Sequence, residues 1–233
     1  MRQIFLDTET TGLSADNGDR VIEIGCVEMF SRKLTGNNKH FYLNPGRESH
    51  EEALKVHGIT SEFLKDKPQF SAVVDEFLTY LDGAEVVIHN AAFDVGFLNK
   101  ELELLGRPQF KTFVPHVTDT LVMAKELFPG KRNSLDALCD RLEVDNSGRT
   151  LHGALLDAEL LADVYINMTR GQEALIIDVG SNEVTTHDVT GVDLQIFTLP
   201  VLWASEEENA AHEQVLKEID KSSGQKTFWR AAL

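Results

Sequence analysis

The spacing of apolar residues changes period along this chain, and that change restricts the folds open to it more than any other feature. Arg2 to Asp7 (RQIFLD), Val21 to Phe30 (VIEIGCVEMF) and Lys39 to Leu43 (KHFYL) are short runs of β-branched and aromatic residues, separated by turn formers such as TGNN. They read as an antiparallel meander. Phe70, Val73, Val74, Phe77, Leu78 and Leu81 then recur at helical spacing, ahead of the buried strand-like run Val86-Val87-Ile88-His89. Phe93, Phe97, Leu98, Leu102 and Leu105 mark a second helix over Ala92 to Leu105, opened by Asn90 or Ala91 and stopped before Gly106 and Pro108. A short strand at His116 to Thr118, a cap at Asp119-Thr120 and helices at Leu121 to Phe128, Ser134 to Leu142 and Ala154 to Met168 complete the pattern. Three strands followed by alternating helix and strand predict an α/β domain with a mixed sheet flanked by helices.

After Arg170-Gly171 the periodicity is lost in SNEVTTHDVTGVD, which reads as a linker. Apolar character returns at Leu194 to Leu202, followed by a charged helical pattern from Ser205 to Ile219 and the ending SSGQKTFWRAAL. Residues 1–170 are therefore expected to form the globular domain, 171–195 a flexible linker and 196–233 a small C-terminal segment. Cys26 and Cys139 lie in no C-x-x-C pair and are expected to be reduced and structural. Met1 runs straight into a strand and no long apolar window occurs, so no membrane span is expected and the cytoplasm is the default location. The absence of G-x-G-x-x-G after the first strand excludes a dinucleotide-binding reading.

A formal charge of −16 argues against an ordinary DNA-binding module, which neutralises phosphates with its own basic surface. An acidic protein can still handle a polyanion if divalent cations sit between its carboxylates and the phosphates. Three segments offer such carboxylates. Asp7 and Glu9, two residues apart in a strand, point to one face, although acids before Thr-Thr-Gly also serve as turn formers. Asp94 opens a helix among Ala92, Phe93, Val95, Phe97 and Leu98, either to stabilise the helix dipole or to hold a cation that relieves its burial. Asp157 lies one turn inside a helix, and His152 on the entering loop is free to turn toward it; an ion pair for Asp157 and a cap role for His152 are the alternatives.

In order and content, DTETTG at Asp7 to Gly12, HNAAFD at His89 to Asp94 and H-x4-D at His152 to Asp157 resemble the three motifs of the DEDDh exonucleases. Within that family ELFPGKRNSLDALCDRL, RTLHGALLDAELLADVY and the stretch from VHGIT through DKP resemble the proofreading (epsilon) subunits of bacterial DNA polymerase III over roughly the first 170 residues. The resemblance implies a ribonuclease H-like fold with a mixed five-stranded sheet and 3′→5′ hydrolysis at DNA ends by a two-metal-ion mechanism. It implies that Asp7, Glu9, Asp94 and Asp157 hold two Mg²⁺ or Mn²⁺ ions and that His152 is the catalytic base, placing the chain with the histidine-type members. Oxygen ligands suit those hard cations, and an imidazole titrates near working pH. It further implies that Asp7, Glu9, Thr10, Thr11, Gly12, Leu13, Glu52, His57, His89, Phe93 and Asp157 border the substrate, with His57 and His89 equally open to a purely structural role.

For the tail the resemblance implies a sliding-clamp contact at Gln172, Leu175 and Ile177 and a binding segment for the polymerase alpha subunit carrying Trp203, Phe228, Trp229 and Arg230, and for the globular domain it leaves open a small third core subunit. Aromatic and Arg side chains are the residue types that anchor interfaces. An RNA-trimming exoribonuclease would share all five catalytic positions but lack the linker and Trp-bearing tail. A non-catalytic assembly subunit would be expected to have lost one of the five, and none is missing.

Overall fold

The computed structural model of the chain describes residues 1–149, 151–170 and 204–223. The chain divides into two units, Met1–Ile176 and Ile177–Leu233. In the first, β1 (Arg2–Thr10), β2 (Val21–Phe30), β3 (Lys33–Leu34) and β4 (Lys39–Tyr42) precede three helices, α1 (Glu51–His57), α2 (Ser61–Leu64) and α3 (Phe70–Leu81). There follow β5 (Glu85–Ile88), α4 (Ala91–Leu104), α5 (Phe110–Phe113), β6 (Val117–Asp119), α6 (Thr120–Leu127), α7 (Leu135–Leu142) and α8 (Ala154–Met168). β1 is antiparallel to β2 and parallel to β5, and β5 is parallel to β6, so the sheet is mixed as expected. β3 and β4 pair with separate stretches of β2, Met29–Phe30 and Glu23–Cys26, so six strands make a sheet five strands wide.

The parity of β1 builds the two layers. Ile4 and Leu6 point to one face, where Ile24, Cys26, Val86 and Ile88 join Phe77 of α3 and Phe97, Leu98 and Leu102 of α4. Phe5 points to the other, with Val27, Met29 and Val87 against Leu138 of α7 and Leu161 and Val164 of α8. Asp7 and Glu9 continue the Phe5 series toward α8. Thr8 continues the Leu6 series and donates its hydroxyl to Asp94 Oδ1 on α4 at 2.7 Å. β1 runs three residues beyond Asp7, to Thr10, so both acids stand within the strand. Cys26 and Cys139 are free and buried.

α4 and α8 are each pinned at the sheet. The Arg20 guanidinium grips both oxygens of buried Glu101 on α4 at 2.7 Å, and the Val21 amide donates to the same carboxylate. Asp119, at the end of β6, accepts the amides of Asn90 and Ala91 at the start of α4 and of Leu121 at the start of α6. Its carboxylate satisfies orphan N–H groups of two helices at once. Asn90 itself is left-handed (φ 64°), a conformation Asn adopts more readily than most residues. α8 enters over Gly25, whose added Cβ would lie 2.2 Å from the Ala154 carbonyl carbon and the Leu155 nitrogen. The neighbouring Glu23 accepts the Ala154 amide at 3.1 Å and pairs with His40 at 2.6 Å. A bare glycine and a buried carboxylate thus seat the N-terminus of α8 directly on β2.

The short elements α1, α2, α5 and β3 carry no sequence period because they are too brief; α2 and α5 have four residues each. In the second unit α9 (Glu206–Ser223) covers the charged helical pattern. A reciprocal cap opens it: the Glu208 amide donates to Ser205 Oγ at 3.2 Å while Glu208 Oε2 accepts the Ser205 amide at 2.8 Å. Gln172, Leu175, Ile177, Trp203, Phe228, Trp229 and Arg230 lie outside the described residues. Among the described residues no helix is long and apolar enough to cross a membrane.

Gly25→Ala forces α8 off the sheet. Overpacking of this kind costs about 1–3 kcal/mol, and in thermal denaturation the melting temperature is expected to fall by roughly 3–10 °C for a domain of this size.

Candidate active site

Three distant segments meet in one cavity of about 200 Å³, lined by Asp7, Thr8, Glu9, His89, Asn90, Phe93, Asp94, Leu135, Arg149, His152 and Asp157. All four expected metal ligands and His152 are among them. β1 contributes Asp7 and Glu9, the first turn of α4 contributes Asp94, and the first turn of α8 contributes Asp157, whose amide closes on the Gly153 carbonyl at 2.9 Å. His152 is held on the entering loop by its own amide, which donates to the Val56 carbonyl of α1 at 3.1 Å. Ligand atoms of Glu9, His152 and Asp157 fall within 4.8 Å of one another, and His152 Nδ1 is 3.4 Å from Asp157 Oδ2.

Crowding these acids has an electrostatic consequence. Burial holds the Asp7 carboxyl well above the usual range, reinforced by repulsion from Asp94, Asp157 and Glu9. Burial, then Asp157 and Glu23, pushes Glu9 up to about 8. Burial raises Asp94 to about 7 although the Thr8 hydroxyl works against it. Such a cluster is short of positive charge, and its oxygen-rich donor set with no cysteine fits hard divalent cations such as Mg²⁺ or Mn²⁺.

One cation within the protein partly answers the deficit, and it was not singled out from the sequence. Arg149 Nε and Nη2 grip Asp157 Oδ1 and Oδ2 at 2.6 and 2.5 Å, Nη2 also meets His152 Nδ1 at 2.7 Å, and Nη1 pairs with Asp136 of α7. Its presence lowers the proton affinity of both Asp7 and Glu9. The available signal was that Arg149 is the sole Lys or Arg between Arg141 and Arg170, immediately before the third acidic segment. Leu135, at the start of α7, forms an apolar wall that the sequence reading also left out.

The residues expected to border substrate divide into groups. Asp7, Glu9, His89, Phe93 and Asp157 line the carboxylate cavity. Gly12, Leu13 and Glu52 line a second cavity of about 580 Å³ with Asp19, His50 and Val56. Leu13 is 83% exposed, an unusual position for a leucine. The Thr10 hydroxyl is spent on the Gly12 carbonyl at 2.6 Å and the Thr11 hydroxyl on Asp19 at 3.2 Å, so their side chains shape the turn between the cavities. His89 combines both readings, lining the cavity while its Nδ1 meets Thr120 Oγ1 at 2.9 Å. His57 is buried, and its Nδ1 accepts the Ile59 amide at 2.9 Å, which puts the proton of the neutral ring on Nε2. That Nε2 is the one buried side-chain polar atom among the described residues that lacks a partner.

Comparison with known proteins agrees with this geometry. Residues 4–165 match the family model RNase_T, described as exonuclease. The DNA polymerase III subunit epsilon of Salmonella typhimurium is 53% identical over 239 residues, covering 99% of this chain and 98% of that protein. The subunit of the same name from Rickettsia felis is 46% identical over 96% of this chain and 99% of its own length. Among solved structures, exonuclease X in complex with 5′-overhanging duplex DNA superposes with a TM-score of 0.56 at 26% identity, over 72% of this chain and 90% of that one. The nuclease domain of 3′hExo, a DEDDh family member bound to rAMP, has a TM-score of 0.61 at 17% identity over 72% of this chain and 90% of that domain, a likeness of fold. The chain belongs to the exonuclease family and, within it, to the branch of the DNA polymerase III epsilon subunits. It is accordingly a 3′→5′ exonuclease.

The raised carboxyls make a testable linkage. Glu9 near 8 and Asp94 near 7 in the folded protein stand above their ordinary values of 4.5 and 3.8, so the folded state binds more protons than the unfolded one in between. Stability without metal therefore falls as pH rises from about 4 to about 8. Thermal scans in chelator are expected to show that fall, and saturating Mn²⁺ is expected to abolish most of it.

Proposed function

We propose that this exonuclease removes mispaired nucleotides from DNA 3′ ends as the proofreading subunit of a replicative polymerase, with Asp7, Glu9, Asp94 and Asp157 holding two Mg²⁺ or Mn²⁺ ions. The observation that carries the reading is the convergence of four carboxylates and His152 from three segments of the chain in one small cavity. Two bound divalent ions supply stabilisation of both the attacking and the leaving oxygen of an in-line displacement. The chain's own residues do the rest. His152, partly exposed on its loop, takes the proton of the attacking water. The Thr8 hydroxyl fixes the rotamer of Asp94, and the Gly153 carbonyl holds the first turn of α8 that carries Asp157.

The terminal nucleotide, in this reading, is bordered by Glu9, Leu13, Glu52, His89 and Phe93. His57, buried and outside the lining of both cavities, is left to a positioning role behind them. The relatives' name, DNA polymerase III subunit epsilon, supports an association with the polymerase alpha subunit through 196–233, where Trp203, Phe228, Trp229 and Arg230 provide anchors, with 171–195 as the tether. A sliding-clamp contact at Gln172, Leu175 and Ile177 and a small third core subunit on residues 1–170 belong to the same reading, as does a cytoplasmic location. A charge of −16 fits an enzyme to which the polymerase delivers the primer end.

Digestion of a 3′-mismatched DNA primer and of an RNA of equal length tests the reading. Mononucleotides are expected from the DNA 3′ end with Mg²⁺ or Mn²⁺, none in chelator and none from Asp7→Ala. His152→Ala is expected to retain Mn²⁺ while slowing release by about 10²–10⁴-fold. Preference for RNA would point to an exoribonuclease, and inactivity with either metal to an assembly subunit.

A further inference from the structure

Arg149 is deployed in a way that catalysis as described above does not use. Its side chain is only 7% exposed and faces an Asp157 carboxylate that is 4% exposed, so the pair is shielded from water and each charge depends on the other. Both oxygens of Asp157 are engaged by the guanidinium fork. A guanidinium has donors and no acceptor, so its 2.7 Å contact with His152 Nδ1 occupies the lone pair of that nitrogen. The neutral ring then carries its proton on Nε2 and has no free lone pair with which to act as a base. One side chain thereby holds the metal ligand and the expected base together. Its remaining nitrogen pairs with Asp136, an exposed residue on α7 that no metal role claims.

We propose that Arg149 is an internal counter-ion that stands in for a divalent cation at Asp157 and must withdraw toward Asp136 before the site can load, releasing His152 in the same movement. The inference rests on the metal-site reading of this cavity. Like charges exclude one another in about 200 Å³, so a guanidinium bonded to both Asp157 oxygens and a divalent ion on the same carboxylate are competing states. Competition of this kind lowers the apparent metal affinity by the fraction of time the arginine occupies the site. It also keeps the metal-free acids from repelling one another at full strength, since the guanidinium lines the same cavity as Asp7, Glu9 and Asp94. The base is then exposed only when metal is present, so proton abstraction and metal loading are coupled through one side chain.

The test is titration of the full chain with Mn²⁺ at fixed pH, with free ion followed by electron paramagnetic resonance, for wild type, Arg149→Gln and Arg149→Lys. If the guanidinium holds the site nine-tenths of the time, Arg149→Gln binds Mn²⁺ about ten-fold more tightly. The same variant melts below wild type in chelator, and the gap closes at saturating Mn²⁺. Arg149→Lys, which keeps the charge but cannot grip both oxygens and His152 together, falls between the two and carries the affinity measurement if the glutamine variant folds only with metal. Equal or weaker Mn²⁺ binding by both variants overturns the counter-ion role and leaves the metal-site reading standing. Absence of Mn²⁺ binding in all three proteins overturns that reading and the inference with it.

Discussion

The two-residue period of β1 is the constraint from which the active site follows. A strand with Ile4 and Leu6 on one face and Phe5 on the other must bury both, and α3 and α4 cover the first while α7 and α8 cover the second. Once those hydrophobic faces fix the register, the next residues inherit it. Asp7 and Glu9 turn toward α8, where Asp157 waits, and Thr8 turns toward α4, where it meets Asp94. A slip of one residue would reverse all three and dismantle the site while leaving the strand intact. Folding and chemistry here share a single geometric cause.

The same parity explains how much was legible in the sequence. β1, β2, β4, β5 and the helices α3, α4, α6, α7 and α8 each carry a run long enough to show its period, and all were anticipated near their observed bounds. Spacing alone left Asp7, Glu9, Asp94, His152 and Asp157 with turn, helix-dipole, ion-pair and cap alternatives, and the resemblance to the DEDDh motifs drew the five together as the set that the fold brings into one cavity. α1, α2 and α5 were not legible, because helices of four to seven residues cannot display a periodic face. Gly25 was passed over as an ordinary strand residue, since its function appears only when α8 is laid across it. Arg149 escaped for a related reason: its three partners, Asp136, His152 and Asp157, gather around it only in the folded chain.

Charge balance joins these parts. The chain concentrates acids at one point, and among the described residues the buried guanidinium of Arg149 is the cation set against them, so Asp7, Glu9 and Asp94 remain hard to ionise together. Buried carboxylates in that condition either keep protons or recruit cations. At neutral pH a hydrolase that must place a phosphodiester among carboxylates requires the second solution. The acidity that at first argues against nucleic-acid handling thus becomes the means by which the site attracts the ions that handle it.

The most direct measurement is anomalous diffraction from crystals of the chain grown with Mn²⁺ and a nucleoside monophosphate. The account predicts two manganese peaks about 3.5–4 Å apart, both within the cavity bounded by Asp7, Glu9, Asp94 and Asp157 and adjoining the phosphate. Manganese bound elsewhere, or none in that cavity under saturating conditions, would contradict it.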